Sequence, residues 1–205
     1  MEKIRFEGKK EEGLLEKALE NLGLKETDIF YDFKEEKGGL LKGKKYIIEV
    51  VKVSEVSELG KEVILKLLEG LGINGQVETK VREKSITYSI HSENNSLLIG
   101  KRGHILESIQ VFVRQAIYNK LDIYVNIIVD VENYKEKQNY FLEKNVKKIA
   151  REVTLSKVSV KLDPMNSYER KLVHDALAGF KYIESTSEGE EPNRCVVIKY
   201  KEVEK

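Results

Sequence analysis

The residues best suited to chemistry stand at Leu98-Ile99-Gly100-Lys101-Arg102-Gly103-His104-Ile105-Leu106, where an apolar pair leads into a Gly-x-x-Gly turn that carries two cations. Glycines let a backbone approach a ligand with no Cβ in the way. Beyond the turn, Ile105, Ile109, Phe112, Val113, Ala116 and Ile117 recur at helical spacing, so the turn is expected to open a helix. The first amides of a helix lack internal partners and sit at the positive end of its dipole, which makes phosphate a natural ligand there. Lys101 and Arg102 add charge to that position. By itself the spacing fits a plain loop-to-helix turn as well as a phosphate site. A second candidate pair lies in Pro164-Met165-Asn166-Ser167-Tyr168-Glu169-Arg170-Lys171-Leu172-Val173-His174. Asn166 and Glu169 have the spacing of a capping box, and Arg170 and His174, four residues apart in the helix it would start, share a face.

The elements that must hold these residues can be read from periodicity. Ser85 to Ile90 alternates apolar and polar residues and Ile123 to Val129 is a second β-rich run, giving strand, turn, helix, strand around Gly100 and Gly103. A helix from about Leu59 to Leu71 and a strand from about Gln76 to Arg82 precede them. Gly70-Leu71-Gly72-Ile73-Asn74-Gly75 matches a dinucleotide fingerprint in spacing, but it follows a helix and precedes a strand, so it reads as a helix end and turn. Nearer the start, Lys3 to Phe6 alternates. Leu14, Leu15, Ala18, Leu19 and Leu22 form a helical stripe closed by Gly23, and strands at Ile29 to Phe33 and Lys45 to Val50 flank a glycine-rich basic turn, Lys37 to Lys44. Val51 to Glu58 reads as a linker. Toward the other end, Asn133 to Arg151 is a charged amphipathic helix. With no proline or glycine between Val129 and Asp163, this helix is expected to join its neighbours as one semi-rigid body. The fold class is therefore α+β, in three small domains at 1–54, 55–132 and 133–205.

Charge is balanced, 36 Lys+Arg against 35 Asp+Glu, which excludes a general polycation that coats nucleic acid. Binding to phosphate must then come from local patches, of which Lys101-Arg102 is the best placed. Lys42 to Lys45, Lys80 to Lys84 and Lys144 to Arg151 read as solvated faces. Cys195 is the one cysteine, so an intramolecular disulfide and a cysteine-based zinc site are excluded. The first residues lack the apolar core of a signal peptide and no run approaches the ~18 apolar residues of a spanning helix, so a cytoplasmic protein without membrane insertion is expected. His91, His104 and His174 stand in no metal-ligand spacing, and there is no phosphate loop of Walker type, nucleophile elbow or His-Glu-x-x-His helix. We expect no catalysis, no metal and no cofactor.

Strand, Gly-x-x-Gly, helix, strand, with Leu98-Ile99 before the turn and Ile105-Leu106 after it, resembles the KH domain in its type II order, whose loop grips the backbone of about four nucleotides. Asn166-x-x-Glu169-Arg170-x-x-x-His174, followed by Ser185-Thr186-Ser187-Glu188-Gly189 and the strand Cys195 to Ile198, resembles the single-strand-binding domain named for its Arg-x-x-x-His motif. The order of the three segments is similar to the Jag family, the bacterial SpoIIIJ-associated proteins. That resemblance implies a cytoplasmic single-stranded RNA-binding protein, an RNA chaperone or post-transcriptional regulator linked to cell-envelope growth and elongation. It further implies pairing with a small single-KH protein or self-association, with single-stranded DNA as an alternative ligand. The RNA-binding residues it implies are Leu98, Ile99, Gly100, Lys101, Arg102, Gly103, Arg170 and His174. The chain departs from the family pattern where Glu190-Glu191-Pro192 stands for Glu-Gly-Pro. The alternative reading is a protein-interaction adaptor for envelope or membrane-insertion machinery.

Overall fold

The computed structural model describes residues 3–36, 44–82 and 84–202, so residues 37–43 of the expected basic turn lie outside it. The chain divides into two compact units that meet between Asn133 and Tyr134.

The first unit opens with β1 (Ile4–Gly8), α1 (Leu14–Leu22), β2 (Ile29–Glu36) and β3 (Lys45–Lys52), the strands forming an antiparallel sheet in the order β1-β3-β2. Leu14 and Ala18 of α1 pack on Ile29, Ile48 and Val50, and Gly23 at φ +64° ends the helix, as its position after the apolar stripe predicts. The next helix, α2 (Val53–Gly70), follows β3 with no intervening residue. The expected linker at Val51 to Glu58 is therefore the end of a strand and the first turns of a helix, and a boundary at 54/55 falls inside α2. Val53, Val56, Leu59, Ile64 and Leu68 are all buried on it, a helical face that the β-branched start had obscured.

After α2 come β4 (Gly75–Arg82), β5 (Ser85–Ser92), α3 (Asn95–Ile99), α4 (His104–Leu121) and β6 (Asn126–Val131). Strand β5 is central, antiparallel to β4 and parallel to β6. A parallel neighbour requires a crossover, and α3, the glycine turn and α4 supply it. Gly70 is the last residue of α2, Gly72 lies in the turn at φ +67° and β4 begins at Gly75, so these glycines end a helix as expected. At the far end of α4, Asp122 accepts from Lys34 of β2 at 2.6 Å; Lys34 and Lys3 also reach Glu49 of β3, at 3.0 and 2.8 Å. Hydrogen bonding to Lys3 and Lys34 holds the Glu49 carboxyl below the usual carboxylate range, and Asp122 is lowered chiefly by Lys34. These pairs connect the first sheet to the end of α4.

His91, near the end of β5, has its Nδ1 2.9 Å from the Glu132 carboxylate, with Glu78 3.7 Å from Nε2. The bond to Glu132 raises the imidazole pKa above its ordinary value. The folded state thus favours the protonated ring. This contribution is complete below the unfolded value of about 6.5 and is lost as pH rises through the higher folded value. We expect the denaturation midpoint of the wild type to fall as pH rises above about 6.5 by an increment that His91→Gln removes. Identical profiles for the two proteins would refute this.

The second unit contains α5 (Tyr134–Ser156), β7 (Val160–Lys161), α6 (Ser167–Leu177), β8 (Ile183–Glu188) and β9 (Cys195–Tyr200). Its sheet has the order β7-β9-β8 with antiparallel pairing throughout. Val146, Ala150 and Val153 of α5 and Val173 and Leu177 of α6 pack on Ile183, Val196 and Ile198 of the sheet. The helix expected at Asn133 to Arg151 continues to Ser156, because Val153 extends its buried stripe. Among the described residues no helix is long and apolar enough to cross a membrane.

Candidate nucleic-acid interface

The glycine turn adopts a conformation that only its sequence permits. Gly100, at φ +70° and ψ −171°, occupies a region essentially reserved for glycine, and its amide donates to the Ser96 carbonyl at 2.9 Å. Arg102 at φ +54° and Gly103 at φ +81° follow in the left-handed region, and α4 begins at His104. Leu98 and Leu106 are fully buried on either side, anchoring the turn to the core while Lys101 and Arg102 face solvent. The turn thus sets exposed cations at the positive end of an 18-residue helix.

The apolar pair before the turn, Leu98 and Ile99, is largely withdrawn from solvent. Leu98 is buried and offers no side-chain surface to a base, and Ile99 is half-buried. The exposed apolar groups here are Leu97 at 59 % and Ile105 at 45 % exposure. Ile105, part of the apolar repeat of α4, leans over Gly100, where a Cβ would meet its Cγ1 at 2.5 Å. Phe112 is likewise exposed, and Ile109, Val113 and Ile117 carry the buried face. Gly100→Ala should cost the first unit about 1 to 3 kcal/mol in denaturant unfolding, from backbone strain and the Ile105 contact together. Gly103→Ala, in the commoner left-handed region, should cost about 1 kcal/mol. Equal losses at the two positions would contradict this.

In the second unit the capping box forms as expected. Asn166 Oδ1 accepts from the Glu169 amide at 2.9 Å, and Glu169 Oε2 from the Asn166 amide at 3.0 Å. It starts α6, from which Arg170 reaches Met165 and Glu191 in the flanking loops and His174 reaches the sheet at β8. Arg170 is not an open cation: its side chain is 9 % exposed, and Nη1 donates to the Met165 carbonyl at 2.8 Å and to Glu191 Oε1 at 2.7 Å. Glu191 is the residue that departs from the family pattern. Its carboxylate forms a charge-assisted hydrogen bond with the guanidinium.

His174 is half-buried, with Nδ1 2.7 Å from Ser185 Oγ and Nε2 2.9 Å from Ser187 Oγ, both on β8. A neutral ring donates through one nitrogen and accepts at the other, and a protonated ring donates through both; serine hydroxyls accommodate either form. The two serines are hydrogen-bond partners that the Arg-x-x-x-His spacing alone does not identify. Their i, i+2 spacing in a strand places both hydroxyls on one face, a signal present in Ser185-x-Ser187 once β8 is recognised. Among the described residues no group of three or more His, Cys, Asp or Glu gathers to hold a metal.

Residues 141–200, which include α6 and the sheet of the second unit, match the R-3-H domain, the domain of the Arg-x-x-x-His motif. RNA-binding protein KhpB of Bacillus subtilis is 31 % identical over 207 aligned residues, covering 98 % of this chain and 100 % of that protein. KhpB of Clostridium symbiosum is 38 % identical over 131 residues, 64 % of this chain and 59 % of that protein, and KhpB of Lactiplantibacillus plantarum is 31 % identical over 67 % of this chain and 42 % of its own length. Since the similarity to the Bacillus protein runs the whole length of both chains and takes in the glycine turn as well as the Arg170 and His174 helix, the chain belongs to the KhpB family, also called Jag or EloR.

Proposed function

We propose that this chain binds single-stranded RNA on two surfaces, a type II KH clamp at Gly100 to Gly103 and an Arg-x-x-x-His surface around His174 and Arg170. One observation carries the reading. The glycine turn, forced by Gly100 and Gly103 and anchored by Leu98 and Leu106, sets Lys101 and Arg102 in solvent at the start of α4. Those cations serve the phosphate backbone, and Ile99, Leu97 and Ile105 offer apolar surface to unpaired bases, which a duplex keeps stacked and out of reach. At the second surface His174 and its serines are the polar groups at hand, and Arg170 becomes available where phosphate takes the place of Glu191. The names of the relatives and the domain match over residues 141–200 support RNA as the ligand.

The family resemblance extends the proposal to a cytoplasmic RNA chaperone or post-transcriptional regulator tied to envelope growth, working with a small single-KH partner or a second copy of itself. Competition tests the core of it: an unlabelled single strand should displace a labelled one, and a duplex of equal length should not. Equal displacement overturns the clamp. The adaptor reading draws on one feature, the exposed Val111 and Phe112 on α4. Crosslinking in cells that recovers no RNA above background would select it.

A further inference from the structure

Resting on the RNA-binding reading, we infer a separate base-stacking site in the second unit, made by Tyr182 and Tyr200 with Lys157 and Lys181, that takes an unpaired nucleobase and its adjoining phosphate. Tyr182 immediately precedes β8 and Tyr200 ends β9, with Ile183 paired to Tyr200. The two rings are nearly parallel, 12° apart in plane with centroids 6.3 Å apart. Lys157 Nζ lies 5.1 Å from the Tyr200 centroid and Lys181 Nζ 5.5 Å from that of Tyr182. Tyr182 is 40 % exposed, whereas Tyr200 rests partly on the core and fixes the pair in place.

Three features distinguish this arrangement from ordinary packing. Lys199 pairs with Glu188 and Lys147 with Glu143, whereas Lys157 and Lys181 face aromatic rings and pair with no carboxylate among the described residues. Lys157 also holds a left-handed backbone, φ +58°, just beyond α5, where glycine or asparagine fits at less cost. Finally, the site adjoins the strand that carries the His174 surface. Ser185, which contacts His174, lies three residues from Tyr182, about 10 Å along extended chain. Aromatic faces stack any base, and ammonium groups beside them hold the phosphates between successive bases, so the pair suits a single strand without fixing its sequence.

The test uses the full chain and an oligouridine single strand of about twelve nucleotides. The chain contains no tryptophan, so Tyr182→Trp introduces a unique fluorophore that should be quenched on titration with the strand. Tyr182→Ala should weaken binding about tenfold, within the range of one lost stacking contact, while Tyr182→Phe, which keeps the ring, should bind as wild type. Lys157→Gln with Lys181→Gln should weaken it and reduce the logarithmic salt slope by roughly 1.4, two phosphate contacts on a single strand. If wild type binds the strand but the introduced indole is not quenched and the alanine and glutamine variants match wild type, the stacking site is overturned and the clamp reading stands. If wild type binds no strand at all, both fall.

Discussion

Lys101→Asp combined with Arg102→Asp is expected to weaken single-stranded RNA binding at the glycine turn at least a hundredfold. A hydrogen bond to a charged group contributes about 1.5 to 3 kcal/mol, so losing two corresponds to roughly 3 to 6 kcal/mol, and the new carboxylates repel phosphate besides. Any binding that remains, through the second surface, should show a salt slope flatter by roughly 1.4, since each phosphate contact on a single strand accounts for about 0.7. The fold should tolerate the change. Both side chains face solvent, and aspartate is among the few residues that accept a backbone such as Arg102's, at φ +54°. Thermal unfolding should therefore stay within about 0.5 kcal/mol of wild type. A folded variant with unchanged affinity and unchanged salt slope would remove the clamp from this turn.

The parts of the fold that were legible in the sequence are those governed by local rules. Gly23 ends α1, Asn166 and Glu169 start α6, and the turn at Gly100 opens α4, because capping and positive φ depend on neighbours a few residues away. Periodicity found the strands, but it could not say which side of a helix meets the sheet where apolar residues exceed one stripe. Ile105 and Phe112 recur at helical spacing with the other apolar residues of α4, yet the core takes Leu106, Ile109 and Val113. The start of α2 was missed for a similar reason: three valines among serines and glutamates look irregular until the sheet against which they pack is in place. At the second surface the motif located Arg170 and His174 but not their state. The burial of Arg170 depends on Glu191, 21 residues away, and the seat of His174 depends on β8, so both follow from sheet pairing that no short window contains.

Gly60 is the clearest case of a residue whose importance appears only in three dimensions, and Gly60→Ala is expected to destabilise the first unit by about 3 kcal/mol. In an isolated helix the same change would stabilise, by up to about 1 kcal/mol, since glycine is a poor helix former. Here α2 crosses the sheet at Tyr88, a fully buried residue of the central strand β5. A Cβ at Gly60 would lie 2.1 Å from the Tyr88 hydroxyl and 2.4 Å from Cζ. The ring cannot swing away cheaply. Its hydroxyl donates into α2 itself, toward the carbonyls of Ser57 at 3.1 Å and Val56 at 3.3 Å, and burial pushes its pKa up, so it remains a neutral donor. Overpacking of about 1 to 3 kcal/mol then adds to about 1 kcal/mol for the strained or broken hydrogen bond, and together these exceed the propensity gain. Tyr88→Phe alone should cost about 1 kcal/mol for the lost bond. In the double variant the hydroxyl that meets the new methyl is gone, so its cost should fall short of the sum of the singles by about 1 kcal/mol, as for residues in direct contact. Costs that add within about 0.5 kcal/mol would show that the helix and the ring do not constrain each other. The glycine would then have to be explained by something other than the close approach of α2 to β5.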